Sequence, residues 1–162
     1  MKNLQKVFKE IGKKLVKEFK TELEQQGHRA SKSGSIIDGI AFKSSVMGLD
    51  VFTDKDYIHA LNEGQKSHSP NLQNILDWIE DRKDTIPYSS EQEKHEIAYA
   101  IIRRIKLEGT PTKGAFKYTD NGRRTGFIEQ VINTNRTQIT KDIQAAVGKD
   151  INILFTKLPK QI

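Results

Sequence analysis

Cysteine is absent from the 162-residue chain, which excludes disulfides, thiolate nucleophiles and cysteine-ligated zinc, and favours an intracellular setting. Long apolar runs are missing too. No stretch approaches the roughly 20 apolar residues that span a bilayer. The opening MKNLQKVFKEIGKK is charged every third or fourth residue, unlike the continuous apolar core of a signal peptide. A soluble, unexported protein with no membrane partner is expected. The GxxxxGKS/T and GxGxxG phosphate loops and the GxSxG nucleophile turn are likewise absent, and neither an internal repeat nor a low-complexity segment occurs.

What is present is charge and helical periodicity. Charged residues make up 30% of the chain and apolar ones 35%, with a formal net charge of +6. That is polar for a globular domain, yet too periodic and too rich in Ile, Leu, Val and Phe for disorder. The length suits a single domain, here expected to span 1–162, with a real core. A basic field can steer toward nucleic acid or acidic protein, although lysines and acids alternate along most of the chain.

Residues 3–26 have the spacing of one long amphipathic helix: Leu4, Val7, Phe8, Ile11, Leu15, Phe19 and Leu23 recur every three or four positions, with lysines between them. Glu10, Glu18, Glu22 and Glu24 dilute the basic face, which weighs against membrane binding. Gly27 is placed to end this helix. The basic HRASKSGS segment after it suits a flexible connection or a cationic loop facing nucleic acid. Ile36 to Phe42 and Leu49 to Thr53 alternate as an antiparallel strand pair with a turn at Met47 and Gly48. Tyr57, Ile58 and Leu61 are expected to be buried.

Leu72, Ile75, Leu76 and Ile79 define helix 71–83. Trp78 lies at the edge of its apolar face, placed to cover the sheet. Ser90 and Glu93 form a capping-box pattern before a helix through Ile97, Ile101 and Ile105 that Gly109 stops. Residues 110–125 form an excursion, a protruding hairpin with Asp120-Asn121-Gly122 at its turn. Ile128 to Ala146 spaces a helix over 126–147 ending at Gly148, Ile151 to Phe155 reads as a short final strand, and 157–162 is a tail. The expected fold class is therefore α+β: a small antiparallel sheet packed against a long N-terminal helix and two to three further helices.

Chemistry is sparse. His28, His59, His68 and His95 lack the i, i+4 or HxH spacing of metal ligands. Asp54 and Asp56 lack the glycine and terminal glutamate of a calcium loop. The acids at 77–81 and 91–96 fall where helices ordinarily carry them. No catalytic residue, metal or cofactor is expected. FKYTDNGRRTGF mixes aromatics with Lys117, Arg123 and Arg124, a composition suited to contacting a partner or DNA.

Taken in succession, these segments resemble the tail-completion and neck proteins of tailed bacteriophages, the head-tail joining family. After the long first helix and strand pair, Asp56-Tyr57-Ile58-His59-Ala60-Leu61-Asn62-Glu63-Gly64 is similar to that family's aromatic-to-Glu-Gly segment. Ile75-Leu76-Asp77-Trp78-Ile79, running into the basic Arg82-Lys83, is similar to its I-x-x-W-I helix. Ala98-Tyr99-Ala100-Ile101-Ile102-Arg103-Arg104-Ile105, followed by Glu108-Gly109-Thr110-Pro111, is similar to its A-x-x-I-x-x-x-I helix and Gly-Thr boundary. The hairpin at 118–125 departs from the more direct passage into the last helix expected of the family. The resemblance implies a non-enzymatic virion protein that forms a homo-oligomeric ring in the neck. It would contact the portal connector, tail proteins and packaged DNA. Tyr57, Trp78, Ile79 and Phe116 would serve as packing anchors, with Lys117, Arg123 and Arg124 as partner or DNA contacts. The alternative is a nucleic-acid-binding accessory protein using the basic first helix and residues 117–124.

Overall fold

The computed structural model describes residues 1–28, 35–112 and 124–157. Helix α1 (Lys2–Gln25) leads to a helical turn α2 (Ile36–Gly39), strands β1 (Ala41–Ser44) and β2 (Leu49–Phe52), and the short α3 (Ile58–Glu63). Helices α4 (Leu72–Glu80), α5 (Glu91–Glu108) and α6 (Phe127–Lys157) complete the chain. The fold is a small α+β one, with a two-stranded antiparallel sheet and three substantial helices besides α1.

The stripe on α1 does what its spacing implies: Ile11, Leu15, Phe19 and Leu23 are buried in the main core with Ile36, Ile37, Ile40, Phe127 and Val131. The helix ends in a Schellman motif. Gly27 adopts φ 78°, its amide donates to Glu24 O, and the His28 amide donates to Leu23 O. Gly12, in the middle of α1, faces the ring of Phe42, which a Cβ at that position would overlap. The glycine therefore lets β1 approach the helix axis, at a helix-propensity cost of about 1 kcal/mol relative to alanine.

The strand pair is shorter and later than the alternation suggests. Residues Ile36–Gly39 form a helical turn capped by Ser35, whose Oγ accepts from the Ile37 amide at 2.9 Å. In this turn Ile36, Ile37 and Ile40 all reach the core. A strand would have sent Ile37 to the face opposite its two neighbours. Pairing begins at Ala41 opposite Phe52 and sets Phe42 against Val51 and Lys43 against Asp50. Ser45 Oγ closes the turn by accepting from the amides of Met47 and Gly48, each at 3.1 Å.

The expected final strand at 151–155 is helical. α6 runs without interruption through Gly148, which has an ordinary negative φ, to Lys157. The helix continues because its far end is tied to α1, as described below, and the sheet found among the described residues, β1 and β2, packs on α1. α1 and α6 lie antiparallel. Phe19 meets Phe127 edge-on at one end, with centroids 6.3 Å apart and planes at 86°, and Asn3 meets Asp150 at the other.

A second, smaller core joins α4 and α5 through Leu76, Ile79 and Ala98. Asn71 caps α4, its Oδ1 accepting from the Gln73 amide at 2.7 Å. Ser90 caps α5 by accepting from the Glu93 amide at 3.2 Å, while the Glu93 carboxylate accepts from the Ser89 amide. Ile79 is fully buried here. Trp78 is not an anchor of this core: it is 40% exposed, outside the cluster that joins α4 to α5, and stacked under the Arg82 guanidinium at 4.6 Å. Tyr57 is also outward, 46% exposed at the start of α3, leaving Ile58 and Leu61 to pack on the main core. Phe116 lies outside the described residues.

Candidate interaction surfaces

Both long helices are capped by residues distant in sequence. Asp150 accepts from the α1 amides of Asn3 at 3.2 Å and Leu4 at 3.0 Å, and from the Asn3 side-chain amide at 3.0 Å. Hydrogen bonding from Leu4 leads the effects that hold its carboxyl below the usual value, because each bond favours the ionised form. At the start of α6, the buried Asn62 supplies the cap. Its Oδ1 accepts from the Ile128 amide at 2.9 Å, its Nδ2 donates to Glu129, and its carbonyl accepts from Gly126 at 2.8 Å. Gly64, at φ 79°, and Gly109, at φ 80°, flank an antiparallel bridge between Gln65 and Thr110. A Cβ at Gly109 would overlap the Gln65 carbonyl. The Asn62-Glu63-Gly64 and Gly109-Thr110 segments thus meet at one junction with the start of α6.

Of the three basic residues expected to contact a partner, Lys117 and Arg123 lie outside the described residues. Arg124 donates to the Gly27 carbonyl at 3.4 Å, at the carbonyl end of α1 where a cation is favoured. Beside it His28 is partly buried, and burial, followed by the charges of Arg124 and Arg82, pushes its pKa down to about 4. Its spacing gave no warning of this, because the two arginines come from distant segments. Of the other histidines, His59 faces Glu63 at 3.9 Å on the exposed side of α3, and His68 and His95 each meet a nearby backbone carbonyl. Among the described residues no group of three His, Cys, Asp or Glu side chains could hold a metal ion.

The acids at the α4–α5 turn form a surface ion pair. Glu80 receives hydrogen bonds from Lys94, at 2.6 Å, and from the Tyr88 hydroxyl. The Lys94 bond leads in lowering the carboxyl's pKa, and the bonds to Glu80 raise those of Lys94 and Tyr88.

Exposed apolar side chains are concentrated in a few places. Ile151, Ile153, Leu154 and Phe155 are all exposed at the end of α6, and Tyr99 and Leu107 on the outer face of α5. With Ala100, Arg103 and Arg104 the latter pair line an open groove of about 380 Å³. A second open groove, about 360 Å³, lies between α1 and α6 over Val7, Ile11, Ala145 and Ala146. No helix among the described residues is long and apolar enough to cross a membrane. Exposed apolar patches of this kind mark surfaces for association.

Compared with known protein families, curated proteins and solved structures, the chain matches none.

Proposed function

We propose that the chain is a structural, non-enzymatic component of a tailed-bacteriophage neck, forming a homo-oligomeric ring between the capsid connector and the tail. The observation that carries this reading is the convergence of the family-like segments. Asn62-Glu63-Gly64 and Gly109-Thr110 come from motifs far apart in sequence, and in space they build one junction that sets the start of α6. Residues that serve a shared architecture are expected to meet in this way. The exposed apolar end of α6 and the face of α5 add support, because a ring subunit must present two different surfaces to its neighbours. In this role the protein acts in the virion after assembly in the host.

The test is co-assembly. Full-length protein mixed with the connector and tail proteins of its virion should form a complex of defined stoichiometry, visible as an added ring. A chain that binds neither component would overturn the reading.

A second reading, nucleic-acid binding, rests on the exposed stripe of Lys2, Lys6, Lys9, Lys13 and Lys17 along α1. It requires duplex affinity that falls steeply with salt. Absence of binding at low ionic strength removes it.

A further inference from the structure

Asp150 holds the first amides of α1, so the part of α6 that follows extends past the start of α1. Ile153 and Leu154, three and four residues on, continue the helix face that carries Asp150. Leu154 is nevertheless 62% exposed and the neighbouring Phe155 68%. This overhang, Ile151 to Lys157, is about 10 Å of helix, and nothing among the described residues covers it. The first turns of α1 that adjoin it are basic: Lys2, Lys6 and Lys9 are exposed there, as is Lys149 on α6, and residues 1–9 contain no acid.

The opposite chemistry stands on the α4–α5 hairpin. Residues 71–96 carry seven carboxylates against three lysines and arginines. On the outward side of α4, Asp77, Trp78 and Asp81 are adjacent and exposed, with the Arg82 guanidinium over one face of the indole and the two carboxylates beside it. α4 packs chiefly on α5, which leaves this face open. An apolar centre flanked by lysines therefore has its counterpart, an indole flanked by carboxylates, on a different part of the same molecule.

We infer that the apolar, basic overhang of α6 in one copy docks on the acidic Trp78 face of α4 in the next copy. The two surfaces differ, so the contact is heterologous, and repeated it closes a ring or extends a filament. Charge complementarity sets the orientation and speeds the encounter, while Leu154 and Phe155 supply the buried apolar area. This inference rests on the ring reading and names its subunit interface.

Sedimentation velocity on the full chain at low ionic strength tests it. Wild type should associate with rising concentration, and more weakly as salt is added. Leu154→Glu should weaken association by about a hundredfold, since it removes a buried apolar group and buries a charge. The pair Asp77→Lys and Asp81→Lys, or the pair Lys2→Glu and Lys6→Glu, should each weaken it by about tenfold. Combining the two pairs should restore most of the loss. Each of these side chains is exposed, so circular dichroism should show unchanged folding. A mixture of the Leu154→Glu and Asp77→Lys/Asp81→Lys variants should stop at dimers, because one good surface of each kind remains.

Oligomers that form with unchanged midpoints in all variants overturn this interface and leave the ring reading standing. A wild type that stays monomeric at every concentration overturns this interface, and the ring reading is then decided by co-assembly with the connector and tail proteins. If Lys2→Glu and Lys6→Glu abolish duplex binding and leave association intact, the overhang faces DNA and the inference fails.

Discussion

Replacing Phe127 by alanine perturbs the point where the two longest helices are joined. The side chain is fully buried at the first residue of α6 and meets Phe19 of α1 edge-on at 6.3 Å. Losing a buried phenylalanine and leaving a cavity costs about 3–5 kcal/mol, a large share of the roughly 5–15 kcal/mol that holds a domain folded. For a chain of this size that corresponds to a fall in Tm of roughly 6–20 °C. Urea unfolding followed by circular dichroism gives the free energy directly, and an unchanged m-value would show that the loss lies in the native state. A double-mutant cycle with Phe19→Leu and Phe127→Leu should isolate a coupling of about 0.5–1.5 kcal/mol for the ring pair. A loss below about 1 kcal/mol for Phe127→Ala, well under the cost of emptying a core site, would refute the view that this contact locks α1 to α6.

Ile79→Ala should cost about 2–5 kcal/mol and, because α4 and α5 have their own core, should first loosen amide-exchange protection in α4 and α5 while α1 stays protected. Gly12→Ala should destabilise by about 1–3 kcal/mol despite better helix propensity, because its methyl group overlaps the Phe42 ring; Phe42→Leu in the same chain should recover part of the loss. Asp150 has a folded-state pKa below 3.8, so its contribution is present above that value and is lost as pH falls through the lower folded value. Asp150→Asn should flatten this acid limb and speed exchange of the Asn3 and Leu4 amides. His28 is held neutral, its pKa lowered from 6.5 to about 4, so its contribution is complete above 6.5 and declines as pH falls from 6.5 toward 4; His28→Gln should remove that slope, and a wild type whose stability is flat across the window would contradict the assignment.

The helices were legible wherever one apolar stripe repeated at helical spacing. Ile11, Leu15, Phe19 and Leu23 marked α1, and Gly27 and Ser90 marked an end and a start with the residues that chemistry requires there. The errors came where a short apolar run fits both periods. Ile36, Ile40 and Phe42 share one strand parity, yet a helical turn buries Ile36, Ile37 and Ile40 together. Ile151 to Phe155 is β-branched and apolar, but the packing of α6 on α1 carried the helix past Gly148. Trp78 stands at the edge of the apolar face by its helical angle, a position compatible with covering the sheet or with facing outward, and the structure has it 40% exposed beneath the Arg82 guanidinium.

The capping residues show a signal that could have been used. Asn62 follows Ile58 by four positions and Asp150 follows Ala146 by four, so each is a polar group on a buried stripe, where it must find a partner. Periodicity exposes that requirement; the partners themselves, 66 residues away for Ile128 and 146 for Leu4, are set by tertiary packing. The same holds for the junction of Gly64 with Gly109, whose positive φ values suit glycine and whose pairing is a long-range event.

Electron microscopy of the purified full-length chain at high concentration and low salt tests the ring-forming account most directly. The account predicts closed rings of uniform subunit number that dissolve in the Leu154→Glu variant. Particles that remain single subunits, or that grow into open filaments without closing, would contradict it.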